Sequence, residues 1–155
     1  MLSLPLEAEW LDSCNDGDTC RIKNALADKT ARKVRLSGID APEKRQTYWK
    51  ESRDFLVRLL KDKELELNCN GNSYDRATCE IFFKEAGKKV SANEEMVKAG
   101  MAWDYPKYSE KHYATLEKTA RAKKLGLWTV EKPASPFCFR HVRSAKCRTS
   151  GQYQP

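Results

Sequence analysis

The segment that most constrains the fold of this chain is residues 34–43, where a strand pattern runs into a bend. Val34 and Leu36 can face a core while Arg35 points the other way, and this alternation is typical of a half-buried strand. A glycine and a proline follow, and they end regular pairing because glycine tolerates unusual backbone angles and proline lacks an amide donor. We therefore expect a β-strand to end at a sharp bend in this segment.

The same bend is a candidate active site. Within nine positions it holds one guanidinium group, Arg35, and two carboxylates, Asp40 and Glu43. Functional side chains gather where a rigid element meets a loop, which favours an active site here. The alternative is a solvated strand end whose charges have no chemical role.

The other predicted elements follow in an order that favours a β-barrel. An Asn-Asp-Gly turn at residues 15–17 joins two arms of a hairpin, and a second turn near residues 27–29 leads into the third strand. An amphipathic helix, two more strands and two more helices follow. This order predicts an α+β fold, a five-stranded OB-fold β-barrel with three helices. The predicted strands lie at 7–14, 18–25, 31–38, 65–69 and 79–83, and the helices at 48–60, 91–100 and 109–126.

Composition indicates a folded globular domain with a basic surface. Apolar residues make up 40% of the 155 positions and charged residues 33%, and no apolar run reaches the ~18 residues that a membrane span needs. The net charge of +7 favours a polyanionic partner such as nucleic acid, although many basic domains bind none. From residue 131 onward the composition shifts to proline, serine and scattered basic residues. We therefore predict a domain at residues 1–130 and an irregular tail at 131–155, held by a disulfide.

Six cysteines form three local pairs along the chain, separated by six, ten and nine positions. The sequence contains no Cys-x-x-Cys, so a structural zinc site fits poorly. Three disulfides formed in an oxidising compartment fit better, and reduced, buried thiols are the alternative. The first ten residues lack the apolar core of a secretory signal, so an extracellular or periplasmic protein would have lost its signal peptide already. The candidate disulfide cysteines are Cys14, Cys20, Cys69, Cys79, Cys138 and Cys147.

Further candidate residues lie outside the bend. Asp18 follows the first turn without being required by it, and Arg76 stands at the mouth of the fifth strand, where a solvated arginine beside Asp75 is the alternative. Tyr105 and Tyr108 lie in an aromatic loop that can stack on bases or simply cover the edge of the core.

Several short motifs along residues 8–130 match one family in order and in spacing. Taken together they resemble the staphylococcal nuclease family, whose fold is an OB-fold barrel with added helices. The motifs are Asp16-Gly17-Asp18-Thr19, Val34-Arg35-Leu36, Ile39 to Glu43, Tyr74-Asp75-Arg76, Gly100 to Trp103 and Gly126-Leu127-Trp128.

The resemblance implies a role for each candidate. Asp18 and Asp40 would bind a calcium ion through their carboxylates, with the main-chain carbonyl of Ala41 as a third oxygen. Glu43 would be the general base that orients or deprotonates the attacking water. Arg35 and Arg76 would grip the phosphate with their planar, permanently charged forks, and Tyr105 and Tyr108 would lie beside the nucleotide.

The sequence also departs from the family pattern. Ala41 replaces a frequent threonine, which matters little if only its carbonyl binds metal. Asp75 precedes Arg76 where glycine is common, and it could pair with that arginine or weaken phosphate binding. The preceding loop lacks the usual lysine near the phosphate. The cysteines and the tail lie outside the minimal family pattern.

The implied function is a metal-dependent, sugar-nonspecific nuclease that hydrolyses DNA and RNA, favours single strands and leaves 5′-hydroxyl and 3′-phosphate ends. The cofactor that the resemblance implies is a divalent ion, Ca²⁺, and we expect a monomer without membrane contact. Two other functions stay open: a noncatalytic OB-fold that binds single strands, and a degenerate nuclease-like scaffold for protein contacts. A degenerate member should lose some of its acids and arginines. This chain keeps all five, which favours the enzyme: Asp18, Arg35, Asp40, Glu43 and Arg76.

Overall fold

A six-stranded β-sheet is the framework of the fold in the computed structural model, which describes residues 8–24, 31–73 and 76–148. Five strands follow the order β1-β2-β3-β6-β5, and β7 pairs with β6. A separate two-stranded sheet joins β4 to β8. The strands are β1 (Glu9–Cys14), β2 (Thr19–Asn24), β3 (Arg32–Leu36), β4 (Ile39–Asp40), β5 (Glu66–Ser73), β6 (Arg76–Glu85), β7 (Lys88–Ser91) and β8 (Trp103–Asp104).

The five-strand path closes on itself and confirms the predicted barrel. The first three strands form an antiparallel meander, and β3 then pairs in parallel with β6. At the other end of the path, the amide of Leu65 donates to the carbonyl of Glu9 at 2.8 Å, so the start of β5 meets β1. The structure therefore has the predicted α+β, OB-fold-like architecture. The short strands β4, β7 and β8 lie beyond the five that the sequence predicts.

Alternation along the strands separates the core from the functional face. In β3, Val34 and Leu36 are fully buried, while Arg35 lies on the opposite face of the sheet. Burial of each such apolar side chain contributes roughly 1.5–3 kcal/mol. Helices cover the inner face with Leu56, Leu60, Met96 and Val97, each 0% exposed. The outer face of β2, β3 and β6 is left for polar side chains.

The three longer helices correspond to the predicted ones: α1 (Trp49–Leu60), α2 (Ala92–Lys98) and α4 (Ala114–Ala122). Ser91 caps α2, because its hydroxyl accepts a hydrogen bond from the amide of Glu94 at 3.3 Å. The prediction that Ser109 begins the third long helix is wrong. Ser109 instead ends the short helix α3 (Pro106–Ser109), and positive φ angles of 53° and 65° at the next two residues break the chain before α4.

Two glycines allow a close backbone approach at the end of the domain. Gly100 has φ +72°, and a Cβ at this position would lie 2.2 Å from the carbonyl oxygen of Leu125. The amide of Leu127 donates to the carbonyl of Gly100 at 2.8 Å, which ties the turn after α2 to the 3₁₀ helix Gly126–Thr129. The two backbones can meet only because the contact is made by Gly100 on one segment and Gly126 on the other, and neither has a side chain.

Beyond residue 130 the chain forms two short helices where the sequence predicts irregular structure: α5 (Pro136–Arg140) and α6 (Ala145–Arg148). Ser135 caps α5, since its hydroxyl accepts from the amide of Cys138 at 3.1 Å. A helix of five residues is too short to show a hydrophobic period, so the sequence pattern misses it. The predicted domain boundary at residue 130 stays a prediction.

All six cysteines are paired as the local spacing suggests. Cys14 and Cys20 are cross-strand partners of β1 and β2, and Cys69 and Cys79 are partners of β5 and β6. The third disulfide, Cys138–Cys147, closes the segment that contains α5 and α6. The alternative of buried free thiols is wrong in this structure.

Some predictions fall outside the described residues, namely the turn near residues 27–29, the influence of Asp75 on Arg76, and the tail from residue 149. Among the helices that the structure does describe, none is both long enough and apolar enough to cross a membrane.

Candidate active site

A cleft of about 680 Å³ lies on the outer face of the barrel and gathers most of the predicted site residues. Strand register explains this meeting, since Arg35 lies between Thr19 on β2 and Thr78 on β6. Arg76 shares the face of Thr78, two residues earlier on the same strand. The predicted residues that line the cleft are Asp18, Arg35, Glu43, Arg76, Tyr105 and Tyr108.

Arg35 bridges the two predicted metal ligands. Its Nη1 lies 2.8 Å from Oδ1 of Asp18, and its Nη2 lies 3.7 Å from Oδ1 of Asp40. Nη2 also donates to the carbonyl of Ile39 at 3.1 Å. Burial disfavours the charged form, but the charges of Asp18 and Asp40 prevail and raise the pKa of Arg35. Arg35 is therefore a fixed cation in the floor of the cleft.

Asp18 is buried beside a cation. Burial opposes its charge, but the guanidinium of Arg35 and the amide of Ala41, which donates to Oδ2 at 2.8 Å, hold the pKa of Asp18 below its usual value. The hydroxyl of Thr19 donates to Oδ1 at 3.0 Å. The hydrogen bond from the amide of Ala41 to Asp18 also places the bend beside the start of β2.

Arg76 lines the cleft and contains one donor without a partner among the described residues. Its Nη1 lies 3.2 Å from the hydroxyl of Thr19. Its Nε is buried and has no hydrogen-bond partner among the residues that the structure describes. A buried guanidinium N–H without a partner costs free energy. Arg76 also lines the cleft, where its cationic fork suits a phosphate group.

With this geometry established, comparison with known proteins identifies the family. The sequence model described as staphylococcal nuclease homologue matches residues 33–130. The chain belongs to the staphylococcal nuclease family. This membership confirms the predicted family and the enzyme class, a hydrolase of phosphodiester bonds whose substrates are nucleic acids.

Individual members of the staphylococcal nuclease family align over most of this chain. An uncharacterized endonuclease of Haemophilus influenzae is 36% identical over 144 residues, which are 90% of this chain and 75% of that protein. An uncharacterized endonuclease of Escherichia coli O157:H7 is 32% identical over 128 residues, 81% of this chain and 80% of that protein. The staphylococcal-like nuclease CAN1 of Arabidopsis thaliana is 37% identical over 110 residues, 70% of this chain but only 33% of that protein.

In this member of the staphylococcal nuclease family, the cleft also contains an acid that sequence reasoning assigned to the turn. Burial, followed by the charge of Asp18, raises the pKa of Asp16 to about 8. Burial is likewise the main cause that raises the pKa of Asp40 to about 6, with Asp18 adding to it and Arg140 and Arg35 opposing it. Asp16 lies two residues before Asp18 in the Asp-Gly-Asp motif, and this spacing is the sequence feature that points to Asp16 as a residue of the site.

The donor set suits a calcium ion. Asp18, Asp40 and the carbonyl of Ala41 offer only oxygen atoms, which are the ligands that Ca²⁺ prefers. The raised pKa values of Asp16 and Asp40 mark carboxyls whose negative charge is incompletely compensated, and a bound cation would compensate it. Residues 8–24, 31–73 and 76–148 contain no cluster of three or more histidine, cysteine, aspartate or glutamate side chains that could hold a metal ion.

Arg140 is a second residue of the cleft that the sequence pattern misses. It lies at the end of α5 and reaches Asp40 and Glu43. Glu43 is also held through its backbone amide, which donates to the side chain of Gln46 at 2.9 Å. Gln46 in turn donates to the carbonyl of Ala134 at 2.7 Å, which ties the bend to the tail. The contacts of Arg140 with the two acids and of Gln46 with Ala134 join residues 88 to 100 positions apart, so no local pattern predicts them.

The two predicted nucleotide-binding tyrosines lie side by side at the rim. The ring centroids of Tyr105 and Tyr108 are 4.9 Å apart in an edge-on arrangement. The amide of Tyr105 donates to the carbonyl of Gly38 at 2.9 Å, which fixes this loop to the end of β3. Tyr108 is 62% exposed, which is unusual for a large apolar side chain. Its ring is accessible for stacking from the cleft.

Proposed function

We propose that this chain is a metal-dependent, sugar-nonspecific nuclease that hydrolyses DNA and RNA and leaves 5′-hydroxyl and 3′-phosphate ends. The observation that carries the proposal is the convergence of two arginines, Arg35 and Arg76, with the carboxylates of Asp18 and Glu43 on one cleft. A phosphodiester is the group whose charge and oxygen acceptors fit this arrangement.

Arg35 and Arg76 would bind the non-bridging oxygens of the scissile phosphate. Both are held before substrate arrives, Arg35 by Asp18 and Arg76 by Thr19. Charge on these oxygens increases as water adds to phosphorus, so fixed guanidinium groups stabilise the transition state more than the ground state.

Glu43 would orient the attacking water and accept its proton. As the new P–O bond forms, the bond to the 5′ oxygen breaks, and that oxygen takes a proton from solvent water and leaves as a hydroxyl. Asp18, Asp40 and the carbonyl of Ala41 would hold a calcium ion beside the phosphate. When bound, such an ion supplies electrostatic stabilisation of the phosphoryl oxygens.

The accessible tyrosine pair supports a preference for single strands, because unpaired bases can stack on Tyr105 and Tyr108 whatever their identity. A net charge of +7 supports backbone binding, and it also disfavours association between copies, which supports a monomer. Three disulfides support an extracellular or periplasmic location, because such bonds persist in oxidising compartments.

Digestion of single-stranded DNA, plasmid DNA and RNA with calcium, magnesium or chelator tests the proposal. We expect cleavage that requires a divalent ion and falls by about two to three orders of magnitude in Glu43→Gln. Glu64→Gln, at an exposed acid that does not line the cleft, should cleave like the parent. Phosphatase treatment and mass spectrometry of the products would identify the ends. Strand binding without cleavage under every metal condition would refute the nuclease assignment and favour a noncatalytic OB-fold.

A further inference from the structure

One arginine from the tail binds both carboxylates of the bend at residues 40–43. Nη1 of Arg140 lies 3.0 Å from Oδ1 of Asp40 and 2.6 Å from Oε1 of Glu43, and Nη2 lies 2.8 Å from Oδ2 of Asp40. The contact with Asp40 is bidentate, so the guanidinium occupies both oxygens of that carboxylate. Such paired, charge-assisted bonds are the strongest class of side-chain hydrogen bond.

This contact differs from an ordinary surface ion pair. The side chain of Asp40 is only 4% exposed and that of Arg140 is 31% exposed. The helix that ends at Arg140 is capped by Ser135 and closed by the disulfide Cys138–Cys147, whose two cysteines are buried. The disulfide closes the tail on itself, and the hydrogen bond from Gln46 to the carbonyl of Ala134 joins the tail to the bend, which lowers the entropy cost of keeping Arg140 on the two acids.

The oxygens that Arg140 binds are the ones that the proposed function assigns to metal binding and to catalysis. Asp40 would have to share an oxygen with the cation, and Glu43 would have to accept a proton. A guanidinium at hydrogen-bond distance from both carboxylates repels a second cation and stabilises both carboxylates in its absence.

We propose that Arg140 and a divalent cation are alternative partners of Asp40, so that Arg140 sets the metal concentration at which the site fills. This inference rests on the proposed function and deepens it, because it assigns the control of metal affinity to the tail. Binding of the cation displaces Arg140 from Asp40. Without Arg140, the acids of the cleft are left with fewer positive partners and bind the cation more tightly.

Calcium titration by isothermal calorimetry tests the competition directly. The variants are Arg140→Met, which removes the charge and keeps the side-chain length, and Arg143→Met, an exposed arginine three positions further along the tail. We expect Arg140→Met to bind calcium about tenfold more tightly or better, equivalent to about 1.4 kcal/mol. Arg143→Met should bind like the parent, and Arg140→Lys, which keeps the charge but loses the fork, should lie between the two.

Thermal unfolding with and without calcium gives a second measurement, the rise in Tm on calcium binding, and it also shows whether each variant folds. Arg140→Met should show a larger calcium-induced rise in Tm than the parent, because tighter binding to the folded state stabilises it more. Calcium affinity in Arg140→Met that equals or falls below the parent's would overturn the inference. So would an equal gain in Arg143→Met, because the effect would then follow net charge alone.

Nuclease assays on the same proteins distinguish a failure of this inference from a failure of the proposed nuclease function. If parent and variant both cleave DNA with calcium while their affinities are equal, the competition is refuted and the nuclease assignment stands. If their affinities differ as expected but neither protein cleaves DNA or RNA, the nuclease assignment fails and the competition stands.

Discussion

Replacement of Arg35 tests whether charge compensation holds the cleft together. Arg35→Ala removes a 2.8 Å ion pair with Asp18, a longer pair with Asp40 and a hydrogen bond to the carbonyl of Ile39. The side chains of both acids are almost inaccessible, at 7% and 4% exposed. Loss of one partner from a buried ion pair costs about 3–5 kcal/mol, because the other charge stays buried without compensation. We expect a loss of that size in the free energy of unfolding at pH 7.

The pH dependence of this loss identifies its cause. In the parent, Asp18 has a folded-state pKa below its unfolded value, so it stabilises the fold above the unfolded pKa and this contribution disappears as the pH falls through the folded pKa. In Arg35→Ala, burial without the arginine should raise the pKa of Asp18 above its unfolded value, so the variant loses stability as the pH rises. The difference between the two proteins should therefore be several kcal/mol at pH 8 and clearly smaller at pH 5.

Denaturant unfolding at pH 5 and pH 8 in the presence of chelator measures both values. Arg58→Ala is the control, since Arg58 is exposed on α1 and lies 5.9 Å from the ring of Phe55; its effect should stay below about 1 kcal/mol at either pH. A destabilisation by Arg35→Ala that is below 1 kcal/mol, or that is the same at both pH values, would refute the charge argument.

Three other predictions concern the backbone, the rim and the cysteines. Gly100→Ala should lower the free energy of unfolding by about 3 kcal/mol or more, because the added Cβ meets the carbonyl of Leu125. Gly87 has a similar φ of +77° but open space around it, so Gly87→Ala should cost only about 1 kcal/mol in the same denaturation assay. Tyr108→Ala should raise KM for single-stranded DNA about tenfold with little change in kcat, whereas Tyr108→Phe should retain stacking; an equal effect of both variants in steady-state kinetics would contradict stacking. Alkylation without reductant should leave the intact mass of the oxidised protein unchanged, and modification of six thiols would contradict the three disulfides.

Much of the fold can be read from the sequence because its signals are local. Alternation at Val34, Arg35 and Leu36 is fixed by the geometry of an extended chain, and the structure places these side chains on opposite faces as expected. The cap at Ser91 depends on an amide only three residues away. Cys14 and Cys20 meet because they flank one tight turn. Each of these features involves neighbours along the chain, so it leaves a recognisable pattern.

The sequence predicts the candidate site only in part, because only the contacts between neighbours along the chain leave a recognisable pattern. The motif residues of the staphylococcal nuclease family lead to Asp18, Arg35, Glu43 and Arg76, and the structure gathers them in one cleft. The partnership of Arg140 with Asp40 spans one hundred residues and depends on how the closed tail packs, so it has no local signature.

The sequence by itself indicated the order of the main strands and helices and the family, and the local spacing of the cysteines suggested their pairing without fixing it. Only the tertiary structure decided which charges share the cleft, because burial and distance between charges arise when remote segments pack together. The raised pKa of Asp16 and the position of Arg140 on the two acids both follow from that packing.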